Sequence, residues 1–411
     1  MTAIRPFAAL RYNPELVPDL SRVIAPPYDV IGPDEQEQLY QRSPHNIVRL
    51  TLGRQSPADS ERDNRYTRAG RDFTEWNAQA ILRRDAAPAL YLVEHVFADG
   101  GATRTRLGFI AVIEFDSAAE PSVYRHEATL AAPKADRTKL LEAVPANLEP
   151  IFCVYPDAGG AIQARLRRAA AASPTAQTAM NGDSVRLWAL TDPERVGAVT
   201  RAVSSVPLLI ADGHHRFEVA YANRQRYPRL MSYFVSMAEP SLVVRPIHRI
   251  VASPGGPSVE ALRRLCTIEP ARDLASLLEW LAASRAGGTE EGRFGYYDGR
   301  TLHRVAVSPE TLARWLMAPA VPLPLAKLDV SLLHSLVLPA LGTDPSDIRY
   351  TADAPEAMQA VDRKEGGAVW LLRGIPLTQV HALAVQGFSL PPKSTYFYPK
   401  VPSGLVINPL V

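Results

Sequence analysis

The 411-residue sequence has only two cysteines, Cys153 and Cys266, and no Cys-x-x-Cys spacing. That excludes a disulfide framework, a zinc knuckle and a redox dithiol. No apolar run approaches the 18 residues of a membrane-crossing helix, and the opening MTAIRPFAALRY lacks the apolar segment of a secretory signal. The protein therefore reads as soluble and cytoplasmic, with no membrane partner. Charge of one sign is also missing. Lys+Arg 45 against Asp+Glu 43 leaves +2, which argues against nucleic acid as a partner held by bulk charge but leaves room for a local basic pocket. His-x-x-x-His spacing is absent among the nine histidines, so no helical metal site is predicted and the metal assignment is none.

Proline, by contrast, is abundant. Thirty-six prolines exceed the average usage of about 5%, and they are scattered rather than periodic, which excludes a collagen-like chain. A hydrophobic content of 46% with 21% charged residues is that of globular domains rather than disordered chains. The length implies two or three domains.

Local patterns predict a mixed α/β (α+β) chain with hairpins. Helices are expected near 33–40, 60–82, 135–143, 258–266, 272–284, 309–317, 330–338 and 355–363. Strands are expected at 46–52, 151–155 and 242–250, around Trp188, and in AVWLLRG. Asp99-Gly100-Gly101 reads as the turn of a long hairpin, and Asp298-Gly299 as that of another. Residues 160–205 otherwise read as helix or loop. The composition breaks at residues 253–257. The expected division is a first α/β domain over 1–252, a second α/β domain over 253–390, and a tail over 391–411 returning to the site.

The sharpest chemical feature is Asp212-Gly213-His214-His215-Arg216, placed between an apolar strand and a helix. Gly213 permits a tight turn, Asp212 is positioned to cap the helix, and a helix N-terminus with two imidazoles and a guanidinium suits phosphate. The same five residues would also serve as a capped turn with solvated histidines. His214 and His215 project about 100° apart on a helix and would not chelate one ion together. His215 is a candidate for the chemistry as well as for phosphate. A second feature is Pro391-Pro392-Lys393-Ser394-Thr395, where an ammonium and two hydroxyls could hold an anion, or the segment could simply dock. In Ala25-Pro26-Pro27-Tyr28-Asp29, a rigid double proline presents Asp29 as a general base or as a helix cap. Tyr124-Arg125-His126-Glu127 forms a polar loop, with His126 and Glu127 as candidate substrate contacts. Lys327-Leu328-Asp329 reads as a helix entry capped by Asp329.

Together APPYDVI, RHEATL, ADGHHRFEVA, DVSLLH and PPKSTYFYPKVPSGLV resemble, nearly end to end, the domain-of-unknown-function family 1015. The DGHHR turn is also similar to that of free serine kinases built on the ParB/sulfiredoxin-like fold. That resemblance implies a ParB/sulfiredoxin-like core with an additional α/β region. It implies a small-molecule phosphotransferase, with ADP or ATP and Mg²⁺ as cofactors and free serine or a similar hydroxy amino acid as acceptor. Asp212, Gly213, His214, His215 and Arg216 would hold nucleotide phosphate, and Asp29 would take the base role. His126, Glu127, Lys393, Ser394 and Thr395 would contact the substrate. The chain departs from the kinases in carrying Asp rather than Glu as the acid and in its large extra region. A phosphatase acting on phosphoserine or another small phosphoester, and a non-catalytic ParB-like nucleotide-binding protein, are the alternatives.

Overall fold

The computed structural model describes residues 2–115, 122–127, 129, 131–252, 259–283 and 292–410. The class is mixed α/β. The chain divides into two compact units: Met1–Arg125 with Thr129–Val243 and Pro399–Val411, and His126–Ala128 with Val244–Tyr398. The compositional break at 253–257 lies outside the described residues.

The first unit is organised on a nine-stranded sheet. Its strands are β1 (Ala3–Arg5), β2 (Leu90–Asp99), β3 (Ala102–Glu114), β4 (Val123–Tyr124), β5 (Ile151–Tyr155), β6 (Ala176–Met180), β7 (Asp183–Leu190), β8 (Leu208–Asp212) and β9 (Arg229–Ser236). They run in the order β4-β8-β5-β9-β3-β2-β7-β6, with β1 against β3. The β2–β3 hairpin forms where expected, because Gly100 and Gly101 take the positive φ that the tight turn demands. Gly108 in β3 meets a different need: a Cβ there would stand 2.5 Å from the Phe234 carbonyl oxygen of the neighbouring strand. Among the described residues of this sheet, pairing is parallel for β4–β8 and β5–β9 and antiparallel for the other pairs.

The helices of this unit are α1 (Pro33–Arg42), α2 (Val48–Thr51), α3 (Arg65–Ala78), α4 (Ala131–Ala143), α5 (Ala161–Ala169), α6 (Pro193–Ser204) and α7 (His214–Ala222). One apolar core joins the sheet to α5, α6 and α7 through residues such as Phe109, Phe234, Leu166, Val199 and Phe217. A second gathers Leu10, Ile47, Trp76, Leu140 and Ile407. The end of the chain belongs to this second core. Leu10 bridges to Ile407, Ala25 to Ser403, and Asn408–Pro409 pairs with Ala146–Asn147.

Three expectations for this unit are corrected. Residues 46–52 contain the buried helix α2 rather than a strand, because Asn46 organises a helical start: its side-chain oxygen accepts from the Val48 N–H while its amide donates to the Arg22 and Ile24 carbonyls. In residues 160–205 the strand expected around Trp188 forms as β7, but it pairs with a second strand, β6, where helix or loop was expected, and Asn181 and Gly182 at positive φ turn the hairpin. The 60–82 helix is shorter, starting after a capping box in which Asn64 and Thr67 exchange hydrogen bonds.

The second unit carries a six-stranded sheet of β10 (His248–Val251), β11 (Cys266–Pro270), β12 (Arg293–Tyr297), β13 (Leu302–Val307), β14 (Ile348–Thr351) and β15 (Ala368–Leu371). The order is β11-β13-β12-β15-β10-β14, antiparallel throughout. Its principal helices are α8 (Leu274–Ala283), α9 (Pro309–Met317), α10 (Ala354–Asp362) and α11 (Leu377–Val385). Leu277, Leu281, Val361, Val369 and Leu371 form its core. Among the described residues, the helix expected at 258–266 covers Val259–Leu262, after which Cys266 enters β11. The strand expected at 242–250 is interrupted at Pro246, which cannot donate to a ladder.

Candidate functional site

The DGHHR segment sits where strand β8 becomes helix α7. The register of β8 against β5 shifts between Ile210 and Asp212, a bulge that re-aims the end of the strand. Gly213 follows at φ +91°, and a Cβ on it would lie 2.9 Å from the Ile151 side chain, so both conformation and space call for glycine. Asp212 does not cap the helix as its position suggested. Gly213 is the N-cap residue, and no side chain makes the capping bond. The Asp212 carboxylate is engaged by two cations instead: Arg216, one turn along at 2.7 Å, and Lys400. Arg216 also donates to the Pro150 carbonyl at 2.6 Å. His214 is buried and His215 half-buried on the first turn of α7. The positive end of this helix thus coincides with two imidazoles and a guanidinium.

Glu218 anchors the same helix. It accepts from Thr129 at 2.8 Å and Lys134 at 3.0 Å and pairs with Arg125 at 2.9 Å. Burial pushes its carboxyl up, but the bonds from Thr129 and Lys134 and the charges of Lys134 and Arg125 outweigh that and hold it below the usual range.

The APPYD segment is built from buried Pro26 and Pro27, followed by a single 3-10 turn over Tyr28–Val30. The Tyr28 N–H donates to Glu149 Oε1 at 2.9 Å, and the same oxygen accepts from the Ser403 hydroxyl at 3.0 Å. The Arg137 guanidinium lies over the Tyr28 ring at 3.8 Å and donates to the Thr51 carbonyl at 2.9 Å. Burial pushes the Tyr28 phenol up to about 12, with Arg216 and Arg137 opposing. Asp29 Oδ2 lies 3.9 Å from Lys400 Nζ, and 31% of the Asp29 side chain is exposed against 11% of Lys400. Asp29 and the DGHHR turn are therefore joined through one ammonium, within one unit. Beside them a cavity of about 70 Å³ is lined by Arg137, Glu149 and Arg216 among apolar side chains that include Leu148 and Val219. It has room for a group of phosphate size, well short of the roughly 300 Å³ of a site for a whole drug-sized ligand.

The remaining candidates lie together in the second unit. Glu127 Oε1 accepts from the backbone N–H groups of Ser394 (3.0 Å) and Thr395 (3.2 Å), and Oε2 from that of Lys393 (3.3 Å). Lys393 stands at φ +59°, so three successive N–H groups turn toward one carboxylate, the geometry of a backbone anion nest. His126 Nε2 lies 2.8 Å from Thr395 Oγ1, and the Ser394 hydroxyl donates to the Pro391 carbonyl at 2.6 Å. The anion held by the Lys393-Ser394-Thr395 backbone is thus the protein's own Glu127. Asp329, expected as a helix cap, instead pairs with Arg373, and no side chain caps that helix.

The model of the family described as "Protein of unknown function (DUF1015)" matches residues 4–331. The chain belongs to the DUF1015 family. Curated protein sequences contain no match to it. Among solved structures, a free serine kinase in complex with AMP is similar at 12% identity and TM-score 0.37, over 70% of this chain and 86% of that one. A conserved hypothetical protein from Pyrococcus furiosus is similar at 13% identity and TM-score 0.38, over 73% and 95%. SbnI from Staphylococcus aureus, truncated at its C-terminus, is similar at 11% identity and TM-score 0.38, over 73% and 87%. Likeness at these scores carries no functional argument for the DUF1015 chain.

Lys400 is the residue that sequence reasoning missed. It lies beyond the DUF1015 match, in the same proline-bounded tail as Lys393, and nothing in its local pattern separates the two lysines. Among the described residues of this DUF1015 protein, no group of three or more His, Cys, Asp or Glu side chains could hold a metal ion. No described helix is long and apolar enough to cross a membrane.

Proposed function

We propose that this DUF1015 protein is a nucleotide-dependent phosphotransferase whose acceptor is the hydroxyl of free serine or a similar hydroxy amino acid. One observation carries the reading: Lys400 stands between Asp29 and Asp212 at the mouth of α7. A part-exposed carboxylate, an ammonium and a helix N-terminus bearing Arg216 are the parts that phosphoryl transfer asks of a protein, which positions reactants and neutralises charge.

In this reading the transferring phosphoryl group lies at the first turn of α7, against His214, His215 and Arg216. Asp29 orients the acceptor hydroxyl and takes its proton as the oxygen bonds to phosphorus. The bond from phosphorus to the nucleotide breaks, and the departing nucleotide oxygen keeps the electron pair. Lys400 and Arg216 neutralise charge on the equatorial oxygens, and Asp212 fixes both cations. His215, the more accessible imidazole, is the candidate to protonate the departing oxygen. Mg²⁺ would be carried by the nucleotide phosphates, in keeping with the sparse carboxylates of the site. Serine as acceptor rests on the DGHHR resemblance; the geometry supports phosphoryl transfer.

The test is incubation of the protein with ATP or ADP, Mg²⁺ and serine, followed by ³¹P NMR. Phosphoserine formed only with nucleotide present is the expected result. Phosphate released from phosphoserine without nucleotide would replace the kinase by a phosphatase. Nucleotide binding without turnover of any hydroxy amino acid would reduce the protein to a binding module.

A further inference from the structure

The phosphotransfer mechanism leaves the Glu149 carboxylate without a task. Glu149 lies just before β5 and is 6% exposed. Its Oε1 accepts from the Tyr28 N–H at 2.9 Å and from the Ser403 hydroxyl at 3.0 Å, and both donors are neutral. Among the described residues Oε2 takes part in no hydrogen bond, and no cation stands within ion-pairing distance of either oxygen. Anchoring alone does not require a carboxylate. A glutamine oxygen in place of Oε1 would accept from both donors without the cost of carrying a charge out of water. A buried charged oxygen that lacks a donor costs more again.

Glu149 lines the same cavity of about 70 Å³ as Arg137 and Arg216. Neither guanidinium serves Oε2. Arg137 donates to Asp136 and to the Thr51 carbonyl, and Arg216 to Asp212 and to the Pro150 carbonyl. Each of the two cations thus has a carboxylate of its own, and the open oxygen of Glu149 is left for a ligand. The space admits a substituent of a few heavy atoms and falls short of a whole nucleotide. Oε1 holds the N–H of Tyr28, and Asp29 is the next residue. Glu149 therefore stands against the turn that presents the proposed base, on the acceptor side of the reaction.

Building on the phosphotransfer reading, we infer that Glu149 Oε2 receives the α-ammonium of the acceptor, so that the site selects free hydroxy amino acids over hydroxy acids that lack the amino group. An ammonium donates an N–H to the open oxygen in a charge-assisted bond and brings the opposite charge with it. A hydroxyl in its place would donate without charge, and a carboxylate would meet a like charge. With the ammonium held at Glu149, the hydroxyl of the same molecule is left for Asp29. Glu149 forms no covalent bond in this scheme; it binds and orients the acceptor.

The experiment is calorimetric titration of the full chain, with and without ADP, using serine and β-hydroxypropionate, which keeps the hydroxyl and carboxylate of serine and lacks its ammonium. The wild type should bind serine about 30-fold more tightly, the scale of one hydrogen bond to a charged group. In Glu149→Gln that preference should fall to a few-fold. Circular dichroism should be unchanged and ADP affinity no weaker, because the amide oxygen still accepts from Tyr28 and Ser403. If Glu149→Gln does not fold, Glu149→Asp, whose carboxylate is drawn back by one methylene, should lose part of the preference, and an unchanged value there overturns the inference. An unchanged preference in Glu149→Gln overturns it too, as does a wild type that binds both compounds equally or neither. The phosphotransfer reading fails separately: a Glu149-dependent preference for serine without phosphoserine formation would remove the kinase and keep the ammonium site.

Discussion

Lys400 Nζ lies 3.9 Å from Asp29 Oδ2 while ion-pairing with Asp212, so one ammonium near the C-terminus ties together carboxylates from two distant parts of the chain. If that ammonium neutralises the transferring phosphoryl group, Lys400→Met should lower turnover about 100-fold, the scale of removing one transition-state contact. Asp212 would keep Arg216 as partner, so folding should survive. Steady-state phosphoserine formation is the measurement. Full activity in Lys400→Met, with loss in Lys393→Ala, would transfer the role to the other lysine of the tail.

Asp29 and Arg216 should separate catalysis from binding. In the proposed mechanism Asp29 meets the acceptor hydroxyl rather than the nucleotide, so Asp29→Asn should reduce kcat by about 10²–10⁴-fold, the usual worth of a general base. Its nucleotide affinity should stay within about twofold, because Asp29 is the part-exposed member of a 3.9 Å pair and Lys400 keeps Asp212 as its nearer partner. Arg216→Ala removes a cation from the first turn of α7 and leaves the Pro150 carbonyl without its donor. Nucleotide Kd should rise about tenfold or more. Calorimetry beside kinetics decides the matter: identical behaviour of the two variants would dissolve the division of labour.

Local signals account for what the sequence made legible. Asp99-Gly100-Gly101 announced the β2–β3 hairpin because only glycine takes both positive φ values without strain. The Asn181-Gly182 turn carried the same kind of signal and was hidden by its alanine-rich surroundings. Residues 46–52 misled because β-branched and apolar residues suit a buried strand and a buried helix alike, and Asn46 decided between them through contacts with Arg22 and Ile24. Asp212 illustrates the limit for the site. Its spacing suited a cap, but its carboxylate pairs with Arg216, four residues on, and with Lys400, 188 residues away, a contact that no local pattern encodes. Glu127, whose residue type suggested a substrate contact, has its oxygens on the Lys393-Ser394-Thr395 backbone, a long-range pairing that local pattern does not encode.

Glu127 should therefore behave as a structural anchor of the tail. Glu127→Ala removes the acceptor of three backbone N–H groups and of the Thr395 hydroxyl at 3.3 Å. Hydrogen bonds to a charged acceptor contribute about 1.5–3 kcal/mol each, and water will replace some of them. A loss of about 3 kcal/mol in urea denaturation is expected, with less in Glu127→Gln, whose amide oxygen still accepts. Hydrogen exchange at the amides of residues 393–395 localises the effect. Unchanged protection there in Glu127→Ala would contradict the anchoring role.

The two histidines flanking Arg249 give the second unit a defined acid sensitivity. Burial, then the Arg249 charge, pushes His248 and His334 down to about 4 from an ordinary value of 6.5. Between those values the unfolded chain takes up protons that the folded chain refuses, so stability falls as pH drops from about 6.5 to about 4. Each histidine accounts for on the order of 3 kcal/mol over that window. His334 also accepts from Arg249 Nε and His248 Nδ1 from the Leu372 N–H, so protonation would remove both acceptors. Gln at each position retains an acceptor and does not titrate. The His248→Gln/His334→Gln double variant should show a flatter dependence than the wild type in urea titrations at pH 7, 5.5 and 4.5. Equal slopes in the two proteins would mean that both imidazoles are already solvated in the folded chain.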